Sequence, residues 1–172
     1  MRRIETRLGS LVACWTEQGL YSLEFEKHAE TLAGDSARIS SGPLSDSRHQ
    51  ELVGSVEEYF ESGEFRFDLV HLDFTGVTDF HQIVLRLCAE IVPGQTLTYG
   101  QLATLAGSPQ AARAVGGAMA KNRWPLLIPC HRVVGASGKL TGYSGTGGVD
   151  TKAWLLEHEQ VAKKMKTGLL AL

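Results

Sequence analysis

An apolar stripe at helical spacing dominates the middle of the sequence and limits what that region can form. Its members recur at spacings of three and four residues: Phe80, Ile83, Val84, Leu87, Cys88 and Ile91. Such steps bring the side chains onto one face of an α-helix. Thr78 or Asp79 can cap its start. Pro93 and Gly94 stop it. We therefore predict a helix here that packs one face into a core.

The first 76 residues have the pattern of a small mixed unit. Residues 11–15 and 20–26 are apolar or partly alternating, and they are typical of strands around a turn. A helix is predicted over 46–63, where apolar residues recur at helical spacing before a glycine. Alternation over 65–69 predicts one more strand. This part is expected to fold as a small α+β domain.

Charge is distributed unevenly along the chain. The 172 residues carry a formal net charge of -2, a total that by itself argues against a nucleic-acid partner. Residues 1–76 hold 7 Lys and Arg against 14 Asp and Glu, whereas residues 77–172 hold 10 against 5. No acidic residue stands between Glu90 and Asp150. We therefore place a domain boundary after Gly76 and expect the basic part to have its own partner.

The cysteines and the hydropathy of the chain indicate the cellular compartment in which the protein is expected. No apolar run approaches the roughly 20 residues that span a bilayer, and the N-terminus lacks the apolar stretch of a secretory signal. The three cysteines, Cys14, Cys88 and Cys130, are widely spaced, which predicts neither a disulfide framework nor a zinc motif. We expect a cytoplasmic protein, or a nuclear one in a eukaryote, with no membrane contact and no metal. Each thiol alone is most simply a small buried side chain.

Two short helices are predicted after the stripe. Thr98 and Gln101 form a capping-box pattern, which predicts a short helix that a glycine ends. Ser108, as an N-cap before a proline, predicts a second helix over 110–120. Two short helices joined by a glycine-containing turn are typical of a helix-turn-helix, although ordinary helical hairpins share this pattern. In a helix-turn-helix the second helix enters a groove of DNA.

The clearest chemical feature is an apolar run over residues 126–134 that Pro129 interrupts. Directly after the proline stand Cys130, His131 and Arg132. Proline donates no ladder hydrogen bond, so strand pairing is expected to stop there. A free thiol is only about 3% ionised at pH 7, and a cationic or hydrogen-bonded setting raises that fraction. The run predicts a reactive cysteine, but neighbours in a strand point to opposite faces, so adjacency leaves a structural role open.

This motif resembles the active-site sequence of the O6-alkylguanine-DNA alkyltransferases, the methylated-DNA–protein-cysteine methyltransferases. Five further segments resemble family motifs, in family order, through residues 78–160. They are the first helix of its helix-turn-helix (99–103), its recognition helix (111–119), its hinge asparagine (Asn122), its substrate-pocket loop (142–145) and its final helix (154–159). The resemblance implies an α/β protein with a small ribonuclease-H-like N-terminal domain and a mostly helical C-terminal domain that carries the helix-turn-helix.

The implied activity is DNA repair by irreversible transfer of an alkyl group from guanine O6, with thymine O4 as a further possibility, to Cys130. No cofactor is implied, and each molecule would react once. His131 would take the thiol proton through a water, and Glu159 would orient and charge that histidine. Asn122 would brace the active-site turn. Tyr99 would help rotate the nucleotide and stabilise the departing guanine.

The implied partner is duplex DNA with the target base flipped out of the stack. Arg113 would fill the gap left by that base, and Ser108 would contact a phosphate. Small residues of the second helix, Ala112 and Gly116 among them, would let it approach a narrow minor groove. The implied substrate-base pocket consists of Met119, Pro125, Val133, Tyr143 and Ser144. We expect a monomer in solution, and cooperative binding to DNA stays open.

Some positions depart from the family pattern. Trp124 stands where relatives carry a smaller residue, and we expect it either to narrow the alkyl pocket or to lie on the surface. Residues 146–150 are expected to form a lengthened loop. Some relatives bind zinc in the N-terminal part, where this chain offers only Cys14. No zinc is therefore expected there.

Three other functions share parts of the pattern. A protein that recognises alkylated bases without repairing them would lack the nucleophile, whereas Cys130 is present. A helix-turn-helix transcription regulator would not need the intact motif over 129–133. A cysteine hydrolase would need an oxyanion hole and turnover.

Overall fold

The computed structural model describes residues 1–26, 43–65, 67–143, 145 and 147–166, with backbone alone at 43–45, 161, 165 and 166. Its helices and strands are β1 (Arg2–Ile4), β2 (Leu11–Trp15), β3 (Leu20–Phe25), α1 (Pro43–Ser62), α2 (Asp79–Ala89), β4 (Leu97–Thr98), α3 (Tyr99–Leu105), α4 (Ala112–Ala120), β5 (Val133–Val134) and α5 (Gly148–Lys166). Short 3-10 turns lie at Leu69–His71 and Cys130–Arg132. This mixture confirms the predicted α/β class.

The chain divides into two compact units. The first consists of Met1–Gly76 with Arg123–Leu127, and the second of Val77–Asn122 with Ile128–Leu172. Within the described residues, no helix combines the length and apolarity needed to cross a bilayer.

An antiparallel sheet forms the framework of the first unit. Its strands lie in the order β1-β2-β3, and Leu11 of β2 pairs with Ile4 on one side and Phe25 on the other. Every residue of β2 is buried. In α1 the side chains at Leu52 and Tyr59 are also fully buried. The two strands predicted around the turn are thus confirmed, and β1 adds a strand that the sequence pattern missed.

The strand predicted over 65–69 is wrong for the described residues of that stretch. Phe67 packs edge-on against Trp15, with ring centroids 6.5 Å apart. Asp68 begins a 3-10 turn by accepting a hydrogen bond from the Val70 N–H at 2.9 Å. An Asp side chain that bonds the backbone two residues later favours a turn, and this local bond competes with strand pairing.

The segment Arg123–Leu127 is built into the core of the first unit. The Trp124 indole is fully buried, donates to the Leu20 carbonyl at 2.8 Å and packs 4.8 Å from the Phe74 ring. Leu126 has φ +74°, in the left-handed region, which bends the chain and prevents the apolar strand expected here. Trp124 is therefore a core residue, and the surface alternative is wrong.

Helix α2 carries the apolar stripe of the second unit. Val84, Leu85 and Cys88 are buried, whereas Ile83 is 48% exposed and lies off the buried face. The capping box before α3 is confirmed: Thr98 Oγ1 accepts from the Gln101 N–H at 3.2 Å, and the Gln101 side chain accepts from the Thr98 N–H at 2.8 Å.

The boundaries of two other helices differ from expectation. Helix α4 begins at Ala112 with Ala111 as its N-cap. The Ser108 carbonyl accepts from the Ala111 N–H at 2.9 Å, so Ser108 closes a turn before the helix and is not its N-cap. Helix α5 begins at Gly148, so the loop expected over 146–150 is helical from that residue onward.

Candidate active site

The Cys-His-Arg motif forms a 3-10 turn at the start of β5. The Cys130 N–H donates to the Ile128 carbonyl and the Arg132 N–H to the Pro129 carbonyl, both at 2.8 Å. Val133 then pairs with Leu97 of β4 in a parallel register. A turn gathers neighbouring side chains that a strand would separate, which explains how adjacent residues of this motif can share one site.

His131 and Glu159 form a fully buried pair. Neither side chain has exposed surface, and His131 Nε2 lies 2.7 Å from Glu159 Oε1. An ionised carboxylate only accepts hydrogen bonds, so His131 Nε2 must carry the proton. His131 Nδ1 then holds a free lone pair, and it is buried without a hydrogen-bond partner among the described residues. The imidazole is thereby prepared to accept a proton at Nδ1.

Arg132 holds Glu159 from the other side. Its Nε lies 3.0 Å from Glu159 Oε2 and its Nη2 lies 2.8 Å from Oε1, while its Nη1 donates to the Ile91 carbonyl. The Gly94 N–H donates to Oε2 at 3.3 Å. Burial alone would raise the pKa of Glu159, but the hydrogen bonds that it accepts from His131 and Arg132, together with the positive charge of Arg132, lower it to about 2. Glu159 therefore stays ionised.

The protonation of His131 depends mainly on its burial. Burial lowers the pKa of His131, and although Glu159 acts to raise it, Arg132 opposes that effect. The imidazole is therefore neutral at rest. Glu159 orients His131 and selects its tautomer, and it acts to raise the pKa of the ring.

The Cys130 thiol is 5% exposed. Burial raises its pKa, while the Asn122 side chain, the Lys152 ammonium and nearby backbone N–H groups act to lower it. Asn122 Nδ2 also donates to the Ile128 carbonyl at 2.8 Å, which ties the end of α4 to the chain just before the active-site turn. The resting pair is thus a protonated thiol beside a neutral imidazole.

A cavity of about 290 Å³ opens onto this thiol within the second unit. Its lining residues are Tyr99, Gly116, Met119, Ala120, Cys130, Gly142 and Tyr143. The lining is mostly apolar, as in sites that take small organic ligands. The structure thus brings the predicted nucleophile together with both predicted tyrosines, with Met119 and with Gly116.

The remaining predicted site residues are not among those that line the cavity, or they lie outside the described residues. Arg113 is exposed in the first turn of α4, close to the half-buried Ala112. Pro125 belongs to the segment in the first unit and is not among the residues that line the cavity. The Val133 carbonyl accepts from Lys152 Nζ at 2.7 Å. Ser144 lies outside the described residues.

Sequence reasoning missed two buried cations. It named Arg132 only as a neighbour of the thiol, and it assigned Lys152 no role. Lys152 shares one helical face with Leu155 and Glu159, at steps of three and four residues, and all three are fully buried. That spacing was a signal available in the sequence, but a lysine at such a position is ordinarily read as a solvated charge. Among the described residues, no group of three or more His, Cys, Asp or Glu side chains could hold a metal ion.

Comparison with known sequences adds an independent line of evidence. A family model described as "6-O-methylguanine DNA methyltransferase, DNA binding domain" matches residues 79–161. The chain is 38% identical to the methylated-DNA–protein-cysteine methyltransferase of Shigella flexneri, covering 91% of this chain and 93% of that relative. It is 37% identical to the protein of that name from Cricetulus griseus, covering 90% and 78%.

Solved structures agree with the sequence relatives. The crystal structure of a Mycobacterium tuberculosis O6-methylguanine methyltransferase is similar with a TM-score of 0.76 at 37% identity, covering 94% of this chain and 92% of that chain. The structure of Mycobacterium tuberculosis OGT in complex with DNA gives the same TM-score and identity. The similarity extends over both units of the chain.

Proposed function

The chain belongs to the methylated-DNA–protein-cysteine methyltransferase family, and on that premise we propose which of its residues perform the reaction. It repairs DNA by transferring an alkyl group from DNA to one of its own cysteines. The acceptor we assign is Cys130. The observation that supports this assignment is the position of its thiol at a mostly apolar cavity, one residue from a buried base with a free Nδ1 lone pair.

The proton of the thiol goes to His131. The thiol has a raised pKa at rest, so it must lose its proton as the reaction begins. Nδ1 of His131 accepts this proton through a bridging water, and Glu159 stabilises the imidazolium that results. Because burial keeps the pKa of His131 low, the ring carries no charge until the proton arrives.

Transfer is a displacement at the alkyl carbon. The Cys130 sulfur forms a bond to that carbon, and the bond between the carbon and guanine O6 breaks, with its electron pair going to the guanine. Tyr99 lines the same cavity, and its hydroxyl donates a hydrogen bond that stabilises the leaving guanine anion. The product is a thioether, which no group of the described site can cleave, so each molecule reacts once.

The substrate we propose is O6-alkylguanine flipped out of duplex DNA. A base stacked in a duplex cannot reach a thiol that is 5% exposed, so the base must leave the stack. Arg113, exposed at the start of α4, is the side chain we assign to the gap that remains in the duplex. The small residues Ala112 and Gly116 allow the backbone of α4 to approach the groove closely. Ser108, which lies in the turn before α4, contacts a phosphate.

Intact mass spectrometry tests the proposal directly. The protein is incubated with a duplex that contains one O6-methylguanine, and with the same duplex carrying guanine. We expect a stoichiometric gain of one methyl group with the damaged duplex only, located on Cys130 by peptide mapping. Cys130→Ser should gain nothing, while the matched control Cys14→Ala, which removes a thiol of the first unit, should react like the parent. Tight binding of the damaged duplex without any mass gain would instead favour a non-catalytic damage-recognition protein.

A further inference from the structure

A buried cation in the second unit is not used by the chemistry above. The Lys152 side chain has no exposed surface. Its Nζ lies 2.7 Å from the Val133 carbonyl, 3.1 Å from the Thr141 carbonyl and 3.5 Å from the Gly142 carbonyl. No carboxylate among the described residues is paired with it. An ammonium group has three N–H donors, so these three carbonyls match its full hydrogen-bonding capacity.

The three carbonyls belong to elements that surround the base pocket. Val133 lies in β5, directly after the active-site turn, and Gly142 lines the cavity. The Thr141 carbonyl also accepts from the Tyr99 hydroxyl at 3.4 Å. One ammonium group therefore joins β5, the chain at 141–142 and, through a shared carbonyl, the predicted leaving-group donor.

The ionisable groups that face Lys152 come from two elements. Burial lowers the pKa of Lys152, while the thiols of Cys130 in the active-site turn and Cys88 in α2 act to raise it. Lys152 in turn acts to lower the pKa values of Cys130, Cys88 and His131. The neighbouring cation Arg132 is compensated by Glu159. Lys152 is thus a buried cation anchored to Val133, three residues after Cys130, and to Gly142, which lines the same cavity as the thiol.

We propose that Lys152 is a positioning residue for the transfer reaction, which holds residues 141–142 against β5 and supplies the countercharge for the Cys130 thiolate. The role in alkyl transfer rests on the proposed function. The carbonyl contacts of Lys152 and the effect of its charge on the Cys130 thiol do not. A buried charge without a countercharge is costly, and ionisation of the thiol relieves that cost. Lys152 therefore links the shape of the pocket to the charge of the nucleophile.

Thiol alkylation separates an electrostatic role from a merely structural one. The rate of carboxamidomethylation of Cys130 by iodoacetamide is measured against pH by peptide mass spectrometry. In Lys152→Met we expect the rate at pH 7 to fall about tenfold, with the midpoint of the pH profile about one unit higher. Lys152→Arg, which keeps the charge, should restore the midpoint. The matched control Lys139→Met removes an exposed charge of the same unit and should leave the profile unchanged. An unchanged profile in a folded Lys152→Met protein would overturn the proposal.

A second measurement follows the Lys152 side chain itself in the unsubstituted protein. In the wild-type protein, the NMR signal of the Lys152 side-chain carbon next to Nζ should show a titration step at the pH where Cys130 ionises. That step should be absent in Cys130→Ser, and its absence in the wild type refutes the countercharge role even if Lys152→Met does not fold. Failure of the proposed function is distinguishable, because it appears as no methyl gain from DNA with both thiol readouts intact.

Discussion

Replacing Glu159 by glutamine tests the centre of the site. The substitution removes the charge that holds Arg132 and the carboxylate that accepts from His131 Nε2 at 2.7 Å. Glutamine is nearly isosteric, so packing is preserved while the chemistry changes. The glutamine amide can place an N–H group against a donor of His131 or Arg132, where the carboxylate of Glu159 accepts hydrogen bonds. Both stability and transfer are therefore expected to suffer.

The size of the effect follows from the burial of the network. A pKa lowered from 4.5 to about 2 corresponds to roughly 3 kcal/mol of stabilisation of the ionised carboxylate. Removing one partner of a buried ion pair costs about 3–5 kcal/mol, since the other charge is left uncompensated. We expect Glu159→Gln to lower the free energy of unfolding by about 3 kcal/mol. Loss of the fixed tautomer should lower the transfer rate by about 10²–10⁴-fold.

Two assays measure these effects separately. Urea unfolding gives the change in the free energy of unfolding, and rapid-quench single-turnover methyl transfer gives the rate at saturating duplex. Glu157→Gln removes an exposed charge two residues earlier in α5 and serves as the matched control. If Glu159→Gln matches that control in both assays, the buried network does not position the base and the mechanism is wrong.

The remaining predictions concern pH, the core and the DNA interface. Since the folded-state pKa of Glu159 is depressed, its stabilising effect is fully present above about pH 4.5 and is lost as pH falls towards 2. Acid unfolding monitored by circular dichroism should show this loss of stability in the wild type, and the loss should be absent in Glu159→Gln. Trp124→Phe should destabilise the protein by about 1 kcal/mol in urea unfolding, because the Leu20 carbonyl loses the indole donor and keeps only the Asp73 N–H. Arg113→Ala should reduce the slope of log affinity for duplex DNA against log salt concentration by about one. Neutralising the exposed acid Glu57 should leave that slope unchanged, and equal effects of the two substitutions would contradict the assigned interface.

Local patterns were sufficient for much of the fold. The stripe in α2 and the capping box before α3 are decided by neighbours within a few residues, so their prediction succeeded. The strand predicted over 65–69 failed because ring packing by Phe67 and the turn bond of Asp68 replaced strand pairing. Long-range packing also decided Trp124, whose partner Leu20 lies far away along the chain.

The sequence by itself identified the nucleophile motif, its order with the later glutamate, and the family, because those are properties of residue identity and spacing. Only the tertiary structure decided the charges at the site. It placed Arg132 on Glu159 and buried both Lys152 and His131, and burial lowers the pKa of the imidazole so that it is neutral at rest. The physical reason is that a pKa depends on burial and on every charge nearby in space, and residues separated by 27 positions in the chain meet here at hydrogen-bond distance.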